Sequence, residues 1–206
     1  MSETVIVIDF ETTGLSPEHG ARATEVAAVV VANGTIVDRY QSLMNAGVRI
    51  PPFIETLTGI SNRMVRQAPG AAAVMQQLAE FIGEIPLVAH NAAFDRKFLE
   101  AELQRIGQPR RAMMLCSMRL ARRIYPTAPN HRLATLVRHA CIAETGPYHR
   151  ALADAEMTAG LWLKMHQELE TSYKLQSVPL ALLQKIQSAP CNGLRVCVEA
   201  YRRSRG

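Results

Sequence analysis

The N-terminal part of the chain alternates between apolar runs and short polar turns, which is typical of a β-meander. The run Val5–Asp9 predicts a buried strand, and Glu25–Ala32 and Thr35–Met44 predict two more. Asn33-Gly34 separates the last two runs, and this dipeptide is the strongest short signal for a two-residue hairpin turn. The pattern therefore predicts three antiparallel strands at the start of the fold.

After Pro51-Pro52 the apolar positions recur at the three- to four-residue spacing of helices. Helices are predicted over Phe53–Leu57, Asn62–Gln67, Ala71–Ile82, Phe94–Gly107, Met118–Tyr125, Leu133–Cys141 and Arg150–Tyr173. Two short apolar runs between them, Pro86–Ala89 and Ala112–Leu115, predict further strands. Strands first, then strands interleaved with helices, predict an α/β fold with a mixed sheet and helices on its faces.

The pattern changes after about Tyr173. Pro179–Ile186 predicts a short helix opened by proline, Ser188–Gly193 a loop, and Val196–Val198 a stub of strand before a basic C-terminal run. We therefore predict one main domain over residues 1–173. Residues 174–206 are predicted to form a C-terminal appendage with no chemistry of its own, which docks a partner, extends a binding surface or covers the core.

The charge balance of the 206 residues is basic. Lys and Arg number 23 against 18 Asp and Glu, which gives a net charge of +5 and a pI near 9.3. Such a surface suits phosphate polyanions, but many basic proteins bind none of them, so composition alone does not establish nucleic-acid binding.

The N-terminus indicates a cytoplasmic protein, because it is acidic and lacks the cationic segment of a signal peptide. The most apolar early run, Val26–Ala32, falls short of the ~20 residues that span a bilayer, so no membrane association is expected. The four cysteines form no C-x-x-C pair and no zinc-finger spacing, which favours reduced thiols.

Two carboxylates stand at the end of the first strand. Side chains two residues apart on a strand point the same way, so Asp9 and Glu11 project side by side. Two such anions repel each other unless a positive group lies between them. Arginines or a helix cap would satisfy them, but a hard divalent cation such as Mg²⁺ or Mn²⁺ is the more economical explanation.

Further carboxylates follow at a distance in the sequence. Asp95 begins a helix, where it can also serve only to complement the helix dipole. Asp154 lies among small and apolar residues of a later helix, where buried carboxylates are seldom left unpaired. His149 precedes it by five residues and can take a proton from water near neutral pH, or can be a surface or capping residue. Four carboxylates and one base are what two-metal phosphodiester hydrolysis requires.

Three motifs resemble those of a known family. D-F-E-T-T-G at 9–14, H-N-A-A-F-D at 90–95 and H-R-A-L-A-D at 149–154 resemble the three exonuclease motifs of the DEDDh 3′–5′ exonucleases. These DnaQ-like enzymes include the epsilon-type proofreading subunit of bacterial DNA polymerase. The order and spacing fit over about residues 3–170, and LTGISNRMV at 57–65 resembles the T-G-I loop of the family.

The resemblance implies a ribonuclease-H-like fold, a five-stranded mixed sheet flanked by α-helices, with 1–173 as the exonuclease domain. It implies that two Mg²⁺ or Mn²⁺ ions are held by Asp9, Glu11, Asp95 and Asp154, and that His149 activates water. Thr12, Thr13, Gly14 and Leu15 would line the pocket for the 3′-terminal nucleotide. Cys116-Ser117 replaces the Asp-Thr or Cys-Thr pair of many relatives, so Cys116 is assigned no role.

The implied activity is 3′–5′ hydrolysis of mainly single-stranded DNA to nucleoside 5′-monophosphates, in proofreading or repair, with a polymerase or repair protein as partner. One alternative is an exoribonuclease acting on short RNA, although oligoribonucleases typically read D-L-E-M-T-G where this chain has D-F-E-T-T-G. The other is a non-catalytic module that binds nucleic acid or a polymerase.

Seven arginines are concentrated within one stretch, at Arg110, Arg111, Arg119, Arg122, Arg123, Arg132 and Arg138. Arg119, Arg122 and Arg123 share one helical face. This face is either simply solvated or follows the phosphate backbone of a substrate. Aromatic residues make up only 5% of the chain, so an extended base-stacking platform is not expected.

Overall fold

The computed structural model describes residues 3–110 and 113–204. Arg111 of the arginine group and Ala112, the first residue of the predicted fifth strand, lie outside the described residues. None of the helices in the described ranges is both long and apolar enough to cross a bilayer.

A five-stranded mixed sheet forms the centre of the molecule, as predicted. Its strands are β1 (Val5–Thr12), β2 (Ala23–Ala32), β3 (Thr35–Leu43), β4 (Leu87–Ala89) and β5 (Met114–Cys116). The spatial order is β3-β2-β1-β4-β5, with β1 to β3 antiparallel and β4 and β5 parallel to β1. Asn33 and Gly34 both have positive φ, which is what a tight hairpin turn matched to strand twist requires.

Helices cover both faces of the sheet. They are α1 (Pro52–Thr58), α2 (Asn62–Gln67), α3 (Ala71–Ile82), α4 (Ala92–Arg105), α5 (Ser117–Ile124), α6 (Leu133–His139), α7 (Ala151–Tyr173), α8 (Leu180–Ser188) and α9 (Leu194–Arg203). Alternate residues of β1 supply the two cores, because successive side chains on a strand point to opposite faces. Val5 and Val7 pack with Trp162 of α7, whereas Ile6 and Ile8 pack beneath α3 and α4.

One edge of the sheet collects several strand ends. Strands β1, β4 and β5 are parallel, so their carboxyl ends meet there, and β3 ends there too. The register places Glu11 of β1 opposite Glu25 of β2, and Glu25 opposite Leu43 of β3. Chain segments that follow these strands are therefore brought together beside the two glutamates.

The predicted strand stub Val196–Val198 is wrong, because these residues lie within α9. Val198 is fully buried while Val196 is mostly exposed. The partly buried Leu194 and Tyr201 pack against the same core as Val198, which gives the spacing of a helix rather than that of a strand.

The C-terminal segment packs against the main core. Leu182, Leu183 and Ile186 of α8 belong to the same buried cluster as Val5. The side-chain oxygen of Gln187 accepts a hydrogen bond from the backbone N–H of Cys116 at 2.9 Å. These contacts cover the sheet beside β5, and the boundary at residue 173 stays a prediction.

Candidate active site

The acidic pair of β1 lies at the edge where the strand ends meet. Asp9 is partly exposed and Glu11 is buried. Asp95, in the first turn of α4, is also buried, and its Oδ1 accepts a hydrogen bond from the backbone N–H of Phe10 at 3.2 Å. This bond fixes the start of α4 to the strand between the two carboxylates of the pair.

Asp154 and His149 come to the same place from the start of α7. The backbone N–H of His149 donates to Asp154 Oδ2 at 2.9 Å. One side-chain ligand atom from each of Glu11, His149 and Asp154 lies within 4.8 Å of the other two. His149 is exposed and has a φ of +63°, an uncommon conformation for a residue other than glycine. Asp154 therefore fixes the backbone that presents the imidazole.

The pKa values of these carboxyls are raised, chiefly by burial and, for Asp9 and Glu11, also by the charges of neighbouring carboxylates. Although part of Asp9 remains exposed, the burial of its carboxyl, followed by the charges of Asp95, Asp154, Glu11 and Glu25, raises its pKa well above the usual value. Burial and the same kind of neighbours raise the pKa of Glu11 to about 8, and burial raises that of Asp95 to about 7. The pKa of Asp154 is also raised, chiefly by burial. Asp95 and Asp154 thus lie near enough to Asp9 and Glu11 for their charges to interact, and among the described residues the group within 4.8 Å comprises Glu11, His149 and Asp154.

The arrangement fits divalent cations. Asp154 Oδ1 is buried and has no hydrogen-bond partner among the described residues. Buried carboxylate oxygens without a partner are costly, and close like charges add to that cost. Carboxylate oxygens of this kind suit hard cations such as Mg²⁺ and Mn²⁺. The ligand roles of Asp9, Glu11, Asp95 and Asp154 stay predictions.

Glu25 and Arg150 form an ion pair beside the site that was not predicted from the sequence. Glu25 is fully buried, and its carboxylate accepts bonds from Arg150 Nη2 at 2.8 Å, Gln41 Nε2 at 2.8 Å and the backbone N–H of Ala151 at 3.0 Å. This network ties the start of α7 to β2 beside Glu11. The sequence did contain a signal for this contact: Glu25 is a carboxylate in a mostly apolar strand, and a buried carboxylate needs a partner.

The two threonines where β1 ends make local hydrogen bonds through their hydroxyl groups. Thr12 and Thr13 are buried, and Thr12 Oγ1 donates to the carbonyl of Gly14 at 2.7 Å. Thr13 Oγ1 accepts from the backbone N–H of Arg22 at 3.0 Å. Leu15 is 83% exposed, which is unusual for so large an apolar side chain. The predicted role of residues 12–15 in holding a nucleotide stays a prediction.

A cavity of about 510 Å³ opens beside His149 and Asp154. Its wall includes Arg132 and His90, which the sequence analysis did not assign to the site. His90 Nε2 lies 3.0 Å from the carbonyl of His131, and burial lowers the pKa of His90 to about 4. The neutral ring therefore donates from Nε2 and holds the loop that carries Arg132.

One arginine of the predicted face is hydrogen-bonded within the protein, whereas the other two are exposed. Arg123 is not free for phosphate, because its Nε donates to the carbonyl of Ala189 at 3.1 Å and its Nη1 to that of Arg119 at 2.7 Å. Arg119 and Arg122 are exposed on the same helix. The helix begins directly after β5, which places its first turn at the edge that holds the carboxylates.

Comparison with known proteins agrees with this geometry. Residues 6–162 match the RNase T family model, described as exonuclease. The chain is 35% identical over 183 residues to the 3′-5′ exonuclease DinG of Bacillus subtilis, covering 88% of this chain and 19% of that protein. It is 39% identical over 165 residues to the PolC-type DNA polymerase III of the same organism, covering 79% and 11%. The chain thus spans a fifth or less of these relatives.

Solved structures give the same picture. Exonuclease X in complex with 5′ overhanging duplex DNA superposes with a TM-score of 0.68 at 27% identity, covering 89% of this chain and 99% of that one. The zinc-bound complex of Escherichia coli exonuclease I with single-stranded DNA gives a TM-score of 0.70 at 17% identity, covering 84% and 42%, and shows likeness of fold alone. The five-stranded sheet flanked by helices is therefore the ribonuclease-H-like fold of these exonucleases.

Proposed function

The chain belongs to the RNase T family of exonucleases, which are 3′–5′ exonuclease hydrolases, and from this premise we propose that it removes nucleoside 5′-monophosphates from the 3′ ends of DNA. The observation that carries the proposal is the convergence of Glu11, Asp154 and His149 within 4.8 Å, beside a buried Asp95. A non-catalytic binding module would have no need of so costly a cluster of buried carboxylates.

Each side chain of the site has a distinct task in the proposed reaction. Asp9, Glu11, Asp95 and Asp154 would hold two divalent cations, which when bound lower the pKa of water and offset charge at phosphorus. His149 takes the proton from the attacking water at its exposed imidazole. The hydrogen bond from its backbone to Asp154 keeps that imidazole beside the carboxylates. Arg132 lies where it can contact a phosphate of the substrate.

DNA is the favoured polymer. The relatives include a PolC-type DNA polymerase III, and the structure of exonuclease X contains DNA, which supports proofreading or repair alongside a polymerase or repair protein. The exposed Leu15 beside the buried threonines fits contact with one terminal nucleotide rather than with a long stack of bases. The four cysteines are unpaired, which fits a cytoplasmic location.

One assay tests the proposal. The protein is incubated with single-stranded DNA or RNA labelled at the 3′ or the 5′ end, in Mg²⁺, Mn²⁺ or EDTA. We expect monophosphates to be released from the 3′ end of DNA only when metal is present. Faster digestion of short RNA would favour the exoribonuclease alternative, and no hydrolysis under any condition would leave the non-catalytic module.

The stability of the metal-free protein should fall as the pH rises. The pKa values of Glu11 and Asp95 are raised to about 8 and about 7, so the folded state binds more protons than the unfolded chain. The free energy of unfolding that comes from this difference is lost as the pH rises through those values. The pKa values of the buried His90 and His166 are lowered to about 4, so these two residues make the folded state more stable as the pH rises. This increase ends by pH ~7.5, where the histidines of the unfolded chain have also lost their protons.

In EDTA, the melting temperature should therefore decrease as the pH rises from about 7 to about 9. The Glu11→Gln variant removes one of the responsible groups and should show a shallower decrease. Mn²⁺ should oppose the trend, because deprotonated carboxylates bind it better. A melting temperature that is flat or rising in EDTA over this range would contradict the raised pKa values.

Arg119 and Arg122 should contribute to the salt dependence of DNA binding. Each phosphate contact on single-stranded DNA adds about 0.7 to the slope of log K against log salt, so replacing both arginines with alanine should reduce that slope by about 1.4. Arg105→Ala is the control, because this exposed arginine lies at the opposite end of α4 from Asp95. A slope equal to that of the control would show that the two arginines are solvated and do not contact the phosphates of DNA.

A further inference from the structure

A second cavity lies at the same edge of the sheet as the carboxylates. Strand β3 ends at Leu43, opposite Glu25, and Glu25 lies opposite Glu11. The segment that continues from Leu43 therefore leaves the sheet beside the candidate active site. It encloses a cavity of about 640 Å³ whose wall includes Arg49 and Arg66.

Asn62 links separate parts of the wall of this cavity. Asn62 Oδ1 accepts from the backbone N–H of Ile50 at 2.8 Å, and Asn62 Nδ2 donates to the carbonyl of Ile50 at 2.9 Å and to Glu55 Oε1 at 2.8 Å. Beneath it, Ile50 packs with Ile54, Ile60 and Val65 in a small apolar cluster of its own. The segment that carries the arginines is thus a built surface rather than a loose loop.

The two arginines are available to a ligand. Both are exposed, and within the described ranges neither has a hydrogen-bond or ion-pair partner. The carboxylate of Glu55 also lines the cavity, but its Oε1 already accepts from the backbone and the side chain of Asn62. Two free guanidinium groups with planar N–H forks match the oxygens of phosphate groups.

We propose that this cavity, defined by Arg49 and Arg66, binds phosphodiester groups of the substrate strand at a distance from the scissile bond. The inference rests on the proposed nuclease function and extends its footprint towards the β3 side of the sheet. A strand whose 3′ end lies among the carboxylates can continue over the end of β3 into the cavity. The site would then contribute to affinity for longer strands without taking part in hydrolysis.

The test compares Arg49→Ala/Arg66→Ala with Arg63→Ala. Arg63 is a matched control, because it is exposed on α2 together with Arg66 but does not line the cavity. Binding of 5′-labelled single-stranded DNA of about twelve nucleotides, and of a trinucleotide, is followed by fluorescence anisotropy in EDTA at several salt concentrations. Thermal unfolding of each variant checks that the fold is kept.

We expect the double variant to lose about tenfold in affinity for the longer strand, with a salt slope lower by about 1.4 for two lost contacts. The trinucleotide should show a much smaller loss, and Arg63→Ala should bind like the wild type. If the double variant does not fold, Arg66→Gln alone should reduce the slope by about 0.7. A double variant that behaves like Arg63→Ala overturns the proposal, as does a loss seen only when a complementary strand is present.

Failure of this inference can be told apart from failure of the proposed function. If the wild-type protein degrades the longer strand in Mg²⁺ and the double variant keeps the wild-type slope, only the phosphate-binding role of the cavity is rejected. If the wild-type protein neither binds nor degrades the strand, both the role of the cavity and the proposed nuclease function are rejected.

Discussion

Replacing Asp9 with Asn should abolish hydrolysis and, in the same protein, raise the thermal stability measured without metal. Burial and the charges of Asp95, Asp154, Glu11 and Glu25 all act against the ionised form of Asp9. A neutral amide of the same shape removes that repulsion, which should raise the melting temperature in EDTA by about 2–4 °C for each kcal/mol relieved. The rate should fall about 10³-fold or more, since several kcal/mol of charge stabilisation depend on the metal ligands.

The control for this variant is Asp38→Asn. Asp38 is an exposed carboxylate on β3, so its replacement should change stability by no more than about 0.5 kcal/mol and leave hydrolysis intact. Melting curves in EDTA and rates in Mg²⁺ are measured for both variants. An Asp9→Asn protein that loses activity and also melts earlier than the wild type would indicate structural damage rather than a missing ligand.

Replacing His149 with Asn should lower the rate by about 10²–10⁴-fold, the range expected for a lost general base. Asn is the sharper choice than Ala because it tolerates the positive φ of this position and yet cannot take a proton from water. His149→Ala should lose the same rate, and it should be somewhat less stable than His149→Asn, because Asn and His adopt positive φ more readily than Ala does.

His139→Asn provides the comparison, because His139 is exposed at the end of α6 and does not line the cavity beside His149. Single-turnover rates at saturating metal separate the chemical step from binding. If His149→Asn hydrolysed DNA within a few-fold of the wild-type rate, another group would have to accept the proton.

The local part of the fold was readable from the sequence. The Asn33-Gly34 turn fixed one hairpin, and the apolar runs around it predicted β1 to β3. The prediction of a strand at 196–198 was wrong because a run as short as Val-Cys-Val fits both periods, and only packing against the core selects a helix.

The long-range part of the site was not readable from residues alone. Asp9, Glu11, Asp95, Asp154 and His149 could be predicted from their motifs, but the ion pair of the buried Glu25 with Arg150 joins residues 125 positions apart. No spacing rule predicts such a contact. The same holds for Arg123, which shares a face with Arg119 and yet donates to Ala189 of α8, so the helix spacing did not reveal that it was already engaged.

Anomalous scattering of Mn²⁺ in crystals soaked with that ion tests directly whether the acidic cluster binds metal. We expect peaks within about 2.2 Å of carboxylate oxygens of Asp9, Glu11, Asp95 and Asp154, with the His149 ring close by. Mn²⁺ sites found only elsewhere on the protein, with these oxygens left without metal at saturating concentration, would contradict the proposal that this acidic cluster is a catalytic centre.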